Sequence, residues 1–364
     1  MLTDNERHRY SRHLLLDKVG INGQEKLKQA KVLVIGAGGL GCPVLMYLTA
    51  AGVGTIGVID FDTVDETNLQ RQVLFNVTDI GKNKALAAKE KLIAQNPYIN
   101  LIAYSEKLTN QNVLELFAKY DIIVDGTDNF STRYLVNDAC VISNKPLVYG
   151  AIFKFEGQVT VFNLNDGPTY RCLFPSPPTP GSVPSCSDVG VLGVLPGIIG
   201  MQQANEVLKI ILGIGNVLSE KMLVYNALSA ESMIVELSKN EAEIAKTKKI
   251  DVACFNYDFF CGITQKNKLT MKEISINDLP HFLEEKEIQI LDVRMPWEQP
   301  KLADERVINI PLQEIPQNIG AIDKNIKTLV LCQHGVRSVR CIEFLENEGF
   351  NQLINLKEGL SEWK

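Results

Sequence analysis

Three groups of residues have types and spacings that could do chemistry. The first is Cys332-Gln333-His334-Gly335-Val336-Arg337-Ser338, set between an apolar run, TLVL, and an amphipathic run, VRCIEFLENEG. A cysteine where a strand turns into a helix has backbone N–H groups and a helix N-terminus beside it, and both favour the thiolate. With Arg337 five positions on, such a loop grips a phosphate or a sulfur atom. The second is Gly36-Ala37-Gly38-Gly39-Leu40-Gly41, spaced G-x-G-x-x-G directly after the apolar run VLVI. Gly36, Gly38, Gly39 and Gly41 let a backbone approach a phosphate at a helix N-terminus, and Asp60, ending the next apolar run, is placed for ribose hydroxyls. The third is Asn68, Arg71, Lys84 and Asp128. Their basic members exceed what a pyrophosphate needs and suit the three phosphates of ATP. A carboxylate at Asp128 can hold Mg²⁺ against those phosphates.

Each group has a plainer reading, and the residues alone leave it open. The glycine motif by itself would serve an NAD-dependent oxidoreductase. Arg71 and Lys84 could be solvated surface charges, and Asp128 a helix N-cap. Cys186 lies in FPSPPTPGSVPSCSD, where five prolines exclude helix and central strand. A loop of that kind can carry a thiol to an activated carboxyl, or the thiol can be passive. Cys42 and Cys140 fall on helical stretches and read as small core residues.

The elements that must position these groups follow from periodicity. AKVLVIGAGGLGCPVLMYLTAAG reads strand, turn, helix; TIGVIDFD is a second strand, GKNKALAAKEKLIAQN a helix, and YDIIVDGTDN a third strand with its turn. That alternation indicates an α/β protein with a doubly wound, mostly parallel Rossmann-like sheet. EGQVTVFN and EKMLVYNALSAESMIVEL suggest an antiparallel extension, and Asp4 to Leu16 a helix. A second, small α/β domain follows a lysine- and glutamate-rich stretch. The boundaries read from sequence are residues 1–245, a linker 246–269, and 270–364. A length of 364 residues agrees with two domains. The net charge of −6 argues against a nucleic-acid partner. No apolar run is long enough for a membrane span or a signal peptide, so the expectation is a cytoplasmic protein whose eight cysteines are reactive or metal-binding rather than disulfide-bonded.

GAGGLG, DFDTVDETNLQRQ, GKNKA and DGTDN occur here in that order, with RYSRHLLL before them and GSVPSC-x-x-x-GVLGVLPGIIG after. From about Asp4 to Leu237 the chain therefore resembles the ubiquitin-activating-enzyme superfamily, in its bacterial MoeB/ThiF-type adenylyltransferase branch. The resemblance implies that Gly39 and its neighbours cradle ATP, Asp60 binds ribose, Asn68, Arg71 and Lys84 contact phosphates, and Asp128 binds Mg²⁺. It implies a homodimer in which Arg12 reaches the neighbouring subunit's phosphates. It implies that the substrate is the C-terminal Gly-Gly carboxylate of a small ubiquitin-like sulfur carrier, and that a cysteine placed like Cys186 can attack the acyl adenylate or form a persulfide-linked intermediate. Many relatives hold zinc with two Cys-x-x-Cys pairs. Here Thr169-Tyr170-Arg171-Cys172 lacks one cysteine, and Cys254 and Cys261 are too widely spaced, which argues against zinc.

ILDVRMPWE, INIPL, CQHGVRS and NLKEGLSEW make Lys272 to Lys364 resemble a rhodanese domain. Cysteine phosphatases use a loop one residue longer, and the smaller cradle suits a persulfide sulfur. The resemblance implies a persulfide on Cys332 and a bracing role for Arg337, with Asp292 and Arg294 structural. An inactive docking domain is the alternative. Together the two domains imply adenylation of a carrier, then sulfur transfer giving a thiocarboxylate, with a persulfide donor such as a cysteine desulfurase. Molybdopterin, thiamine and other thio-modification pathways all remain open, as does a non-catalytic scaffold.

Overall fold

The computed structural model describes residues 1–178, 190–261, 272–361 and 363, and the chain divides into two units, Met1–Thr264 and Gln265–Lys364. In the first unit, β1 (Lys31–Ile35), β2 (Thr55–Ile59), β3 (Asn100–Tyr104), β4 (Ile122–Asp125), β5 (Leu147–Phe153), β6 (Glu156–Phe162), β7 (Lys221–Asn226) and β8 (Glu231–Glu236) form one sheet. Its order is β3-β2-β1-β4-β5-β6-β7-β8. Strands up to β5 pair in parallel, and β6, β7 and β8 extend the sheet antiparallel.

Side chains alternate across the sheet because successive residues of a strand face opposite ways. Val32 and Val34 join a core with the helices Gly41–Ala51, Lys84–Gln95 and Leu195–Leu212. Leu33 and Ile35 join the other, with the helix Phe130–Ser143. The sheet is thus wound on both faces. In register, Ile35 lies opposite Ile59 and Asp125. The turns leaving β1, β2 and β4 therefore leave the same edge. β1 is also where the chain order reverses, and ligands of open α/β sheets bind at such a point.

The structure differs from the sequence reading in four places. The N-terminal stretch forms two helices, Asp4–Arg9 and Ser11–Leu14, broken at Tyr10, whose buried hydroxyl accepts from Asn96 Nδ2 at 2.8 Å. The strand β3 at the sheet edge and β5 add to the three strands read from periodicity. Residues 246–261, assigned to the linker, pack into the first unit: Val252, Tyr257 and Cys261 belong to its second core. In the second unit, β9 (Lys272–Ile274) and β11 (Val307–Asn309) escape a periodicity reading because each has only three residues. They flank β10 (Ile288–Asp292), β12 (Lys327–Leu331) and β13 (Leu353–Leu356) in a parallel sheet ordered β11-β10-β12-β13-β9.

Candidate nucleotide and sulfur-transfer sites

The glycine loop is built by close approach. A Cβ on Gly41 would collide with the Gly36 carbonyl, so the helix Gly41–Ala51 can start against the loop only with glycine there. Asp60 ties the loop to β2: Oδ2 accepts the Ala37 N–H at 2.8 Å and Oδ1 the Asp62 N–H at 2.9 Å. Burial pushes its carboxyl up, against the pull of those two amides. Each oxygen keeps acceptor capacity for a hydroxyl.

Arg71 donates from Nη1 to the Thr67 carbonyl at 2.9 Å. Its Cδ and Pro196, in the first turn of Leu195–Leu212, both lie within 4 Å of a Cβ built on Gly39. Arg71 therefore lies over the glycine loop. Asn68 closes a short 3-10 turn, accepting the Asp65 N–H at 3.3 Å. Lys84 is only 7 % exposed, which removes the surface-charge reading, and its Nζ lies 3.1 Å from Asp62 Oδ2. Asn129, not Asp128, caps the helix Phe130–Ser143, accepting the Thr132 N–H at 2.9 Å. Asp128 is exposed, with no hydrogen bond or ion pair among the described residues. That free carboxylate at a sheet edge fits a Mg²⁺ held by one carboxylate and phosphate oxygens. Arg12 is exposed on Ser11–Leu14.

Sequence reasoning passed over the polar residues beneath this edge. Asp125 ends β4 fully buried, and Gln72, Arg133 and Gln203 are buried beside the same turns. The side-chain atoms Gln72 Oε1, Asp125 Oδ2, Arg133 Nε and Gln203 Oε1 have no hydrogen-bond partner among the described residues. A polar residue inside an apolar run such as IIVD was the available signal.

Cys186 lies outside the described residues. Cys42 is buried in its helix, with the thiol pushed up to about 12 by burial, and Cys140 is likewise buried and raised. Cys172 accepts the N–H groups of Thr169 and Asn240, both at 3.3 Å. Cys254 is exposed, and Cys261 is buried with its thiol pushed up to about 11 by burial. Among the described residues no three His, Cys, Asp or Glu side chains gather as metal ligands. The segment after Leu237 is anchored by a buried ion pair. Arg171 makes two 2.7 Å bonds to buried Asp138, Tyr257 donates to the same carboxylate at 3.0 Å, and Phe260 lies 4.7 Å from the guanidinium.

In the second unit Cys332 follows β12, and the helix Val336–Asn347 starts four residues later. The Cys332 Sγ lies 3.3 Å from Ser338 Oγ, which donates to the Gly335 carbonyl at 2.9 Å. Arg337 forms a two-point ion pair with Glu298 at 2.7 and 2.6 Å, and Glu298 in turn accepts the Met295 N–H at 2.8 Å. Arg294, fully buried, pairs with Asp292 and donates to Gln333 Oε1 at 2.9 Å. Gln333 thus hangs from a buried arginine, while His334 and Val336 are exposed. Gly359, with φ +70°, backs the loop, and a Cβ there would strike the backbone of Gln333 and His334.

A mostly parallel sheet with a glycine loop at its switch point, in one chain with a cysteine loop at a helix N-terminus, defines a nucleotide-binding protein with a sulfurtransferase-type domain. Family comparison makes this specific. The chain belongs to the ThiF family, matched over residues 10–246, and carries a rhodanese-like domain over residues 275–364. It is 40% identical over 373 residues to a probable adenylyltransferase/sulfurtransferase MoeZ of Mycobacterium tuberculosis, covering 100% of this chain and 94% of that one. It is 49% identical over 267 residues to a sulfur carrier protein adenylyltransferase of Thermus thermophilus, covering 72% and 98%. The crystal structure of E. coli MccB with AMPCPP and MccA matches with TM-score 0.57 and 25% identity, covering 66% of this chain and 73% of that one. This chain is accordingly an enzyme of the adenylyltransferase and sulfurtransferase classes. Among the described residues no helix is long and apolar enough to cross a membrane.

Proposed function

We propose that the first unit adenylates the C-terminal Gly-Gly carboxylate of a small ubiquitin-like sulfur carrier, and that Cys332 then supplies sulfur to it as a persulfide. The observation that carries this reading is one chain holding both Arg71 and Lys84 at a glycine loop and a cysteine loop at a helix N-terminus. In the first step a carboxylate oxygen attacks the α-phosphorus of ATP. The bond to the β-phosphate oxygen breaks, and pyrophosphate leaves with the electron pair. Such transfer needs mainly positioning and charge neutralisation. Asp60 would hold the ribose, and the loop amides at Gly36 to Gly41 with Asn68, Arg71 and Lys84 the phosphates. Asp128 would hold Mg²⁺, which supplies charge neutralisation when bound. In a homodimer, Arg12 of one subunit would reach the phosphates in the other.

In the second step the terminal sulfur of the Cys332 persulfide attacks the acyl carbon, and AMP leaves. An external dithiol cleaves the resulting acyl disulfide by attacking the Cys332 sulfur, and the carrier leaves as a thiocarboxylate. The second thiol of that dithiol then displaces Cys332 as a free thiolate, and the dithiol leaves oxidised. A persulfide donor such as a cysteine desulfurase reloads Cys332. The setting is cytoplasmic. The buried Lys84 weighs against an NAD-dependent oxidoreductase. The test separates the steps: Asp128→Ala stops acyl-adenylate formation, while Cys332→Ala leaves it intact and stops thiocarboxylate formation. Full thiocarboxylate yield from Cys332→Ala with a persulfide donor would overturn the sulfur role.

A further inference from the structure

The turn Asp125 to Asn129 carries Asp128 from the end of β4 to the helix Phe130–Ser143, and it is held from below. Asp125 Oδ1 accepts both the Thr127 N–H at 2.9 Å and the Thr127 hydroxyl at 2.6 Å. Gln203 Nε2 donates to the Asp125 carbonyl at 2.8 Å. Arg133, one turn into the helix, donates from Nη2 to the Thr127 carbonyl at 3.1 Å. Its guanidinium lies 5.1 Å from the Tyr149 ring centre and 5.9 Å from that of Phe130. Thr127 is therefore fixed at its N–H, its hydroxyl and its carbonyl, while the next side chain, Asp128, has no partner among the described residues.

The ion pair itself is poor. Arg133 Nε stands 3.5 Å from Asp125 Oδ2, and neither atom has a hydrogen bond among the described residues. Buried pairs with unsatisfied atoms are weak contributors to stability, and an apolar pair of the same volume would often fold as well. What the arrangement does achieve is to aim a turn.

We propose that Arg133 is a positioning residue for Asp128, acting through the Thr127 carbonyl to set where that carboxylate meets the nucleotide's metal. The inference rests on the reading of Asp128 as the Mg²⁺ ligand. Its test is calorimetric titration of the full chain with ATP, with and without Mg²⁺ and without carrier, alongside thermal unfolding. In the wild type Mg²⁺ tightens ATP binding by about tenfold, and Asp128→Asn removes that gain. Arg133→Met keeps the Mg²⁺-free affinity within about twofold and loses about fivefold of the gain. Arg133→Lys, too short to reach the carbonyl, behaves like Met. Should Arg133→Met fail to fold, Arg133→Lys, which keeps the buried positive charge, decides the matter with the same loss of about fivefold. A full Mg²⁺ gain in the Arg133 variants, with the gain absent in Asp128→Asn, overturns the role of Arg133 and leaves the site reading intact. A full gain in Asp128→Asn overturns both.

Discussion

Asp138→Asn tests how the segment after Leu237 is held to the first unit. Asp138 is fully buried and accepts two bonds from Arg171, one from Tyr257 and one from Asn137. The substitution keeps the shape and removes the charge, leaving the 5 % exposed Arg171 uncompensated. Removing one partner of a buried pair costs about 3–5 kcal/mol. The rings of Tyr134 and Phe260, 4.8 and 4.7 Å from the guanidinium, survive the change. The loss therefore falls on the docking of the short helix Tyr257–Phe260 and of Cys261 at its end, as a local opening. Cys261 reports that opening because it is buried, and exposed Cys254 serves as an internal control. At about 1.4 kcal/mol per decade, opening should rise by roughly two to three and a half orders of magnitude. Thiol labelling of Cys261 should accelerate by that factor, with Cys254 unchanged. Asp138→Leu with Arg171→Met, an apolar pair, should recover most of the protection. A Cys261 labelling rate in Asp138→Asn within about threefold of wild type would refute the anchoring argument.

Gly359→Ala forces a left-handed residue costing about 1–2 kcal/mol and drives a methyl into the Gln333–His334 backbone. Sulfur transfer should fall at least about tenfold with adenylate formation unchanged, and equal transfer rates would contradict the loop's dependence on Gly359. The second unit should lose stability in acid. Hydrogen bonds from Arg306 hold the Asp304 carboxyl down to about 2, and those from Arg337 lower Glu298. Both carboxyls have folded values below their unfolded ones. Their contribution is full above an unfolded value of about 4 and is lost as pH falls toward 2. Urea midpoints from pH 5 to pH 2 should fall less steeply in Asp304→Asn; an identical slope would remove Asp304 from the account.

The elements that carry the site were legible because their signals are local. The glycines at 36, 38, 39 and 41 have no use for that spacing except close backbone approach, and Cys332 announces its loop by sitting between a β-rich run and a helical one. What stayed hidden depends on contacts between distant residues. Asp128 and Asn129 are equally good caps by type, and only the fold shows which carboxamide or carboxylate turns inward. The lysine- and glutamate-rich stretch 238–249 shows no apolar pattern, yet Ile244 and Thr247 are buried in the helix Glu241–Thr247. Arg171 reads as the remnant of a metal knuckle until Asp138, 33 residues earlier, is brought beside it. Arg133 and Gln203 gain meaning only from the Asp125 turn they hold.

The most direct test of the central claim is ATP–pyrophosphate exchange with candidate ubiquitin-like carriers, each intact and with its Gly-Gly tail removed. The account predicts label entering ATP with an intact carrier, none without the tail, and none with the Asp128→Ala enzyme. Tight ATP binding with no exchange for any carrier, or exchange indifferent to the tail, would contradict it.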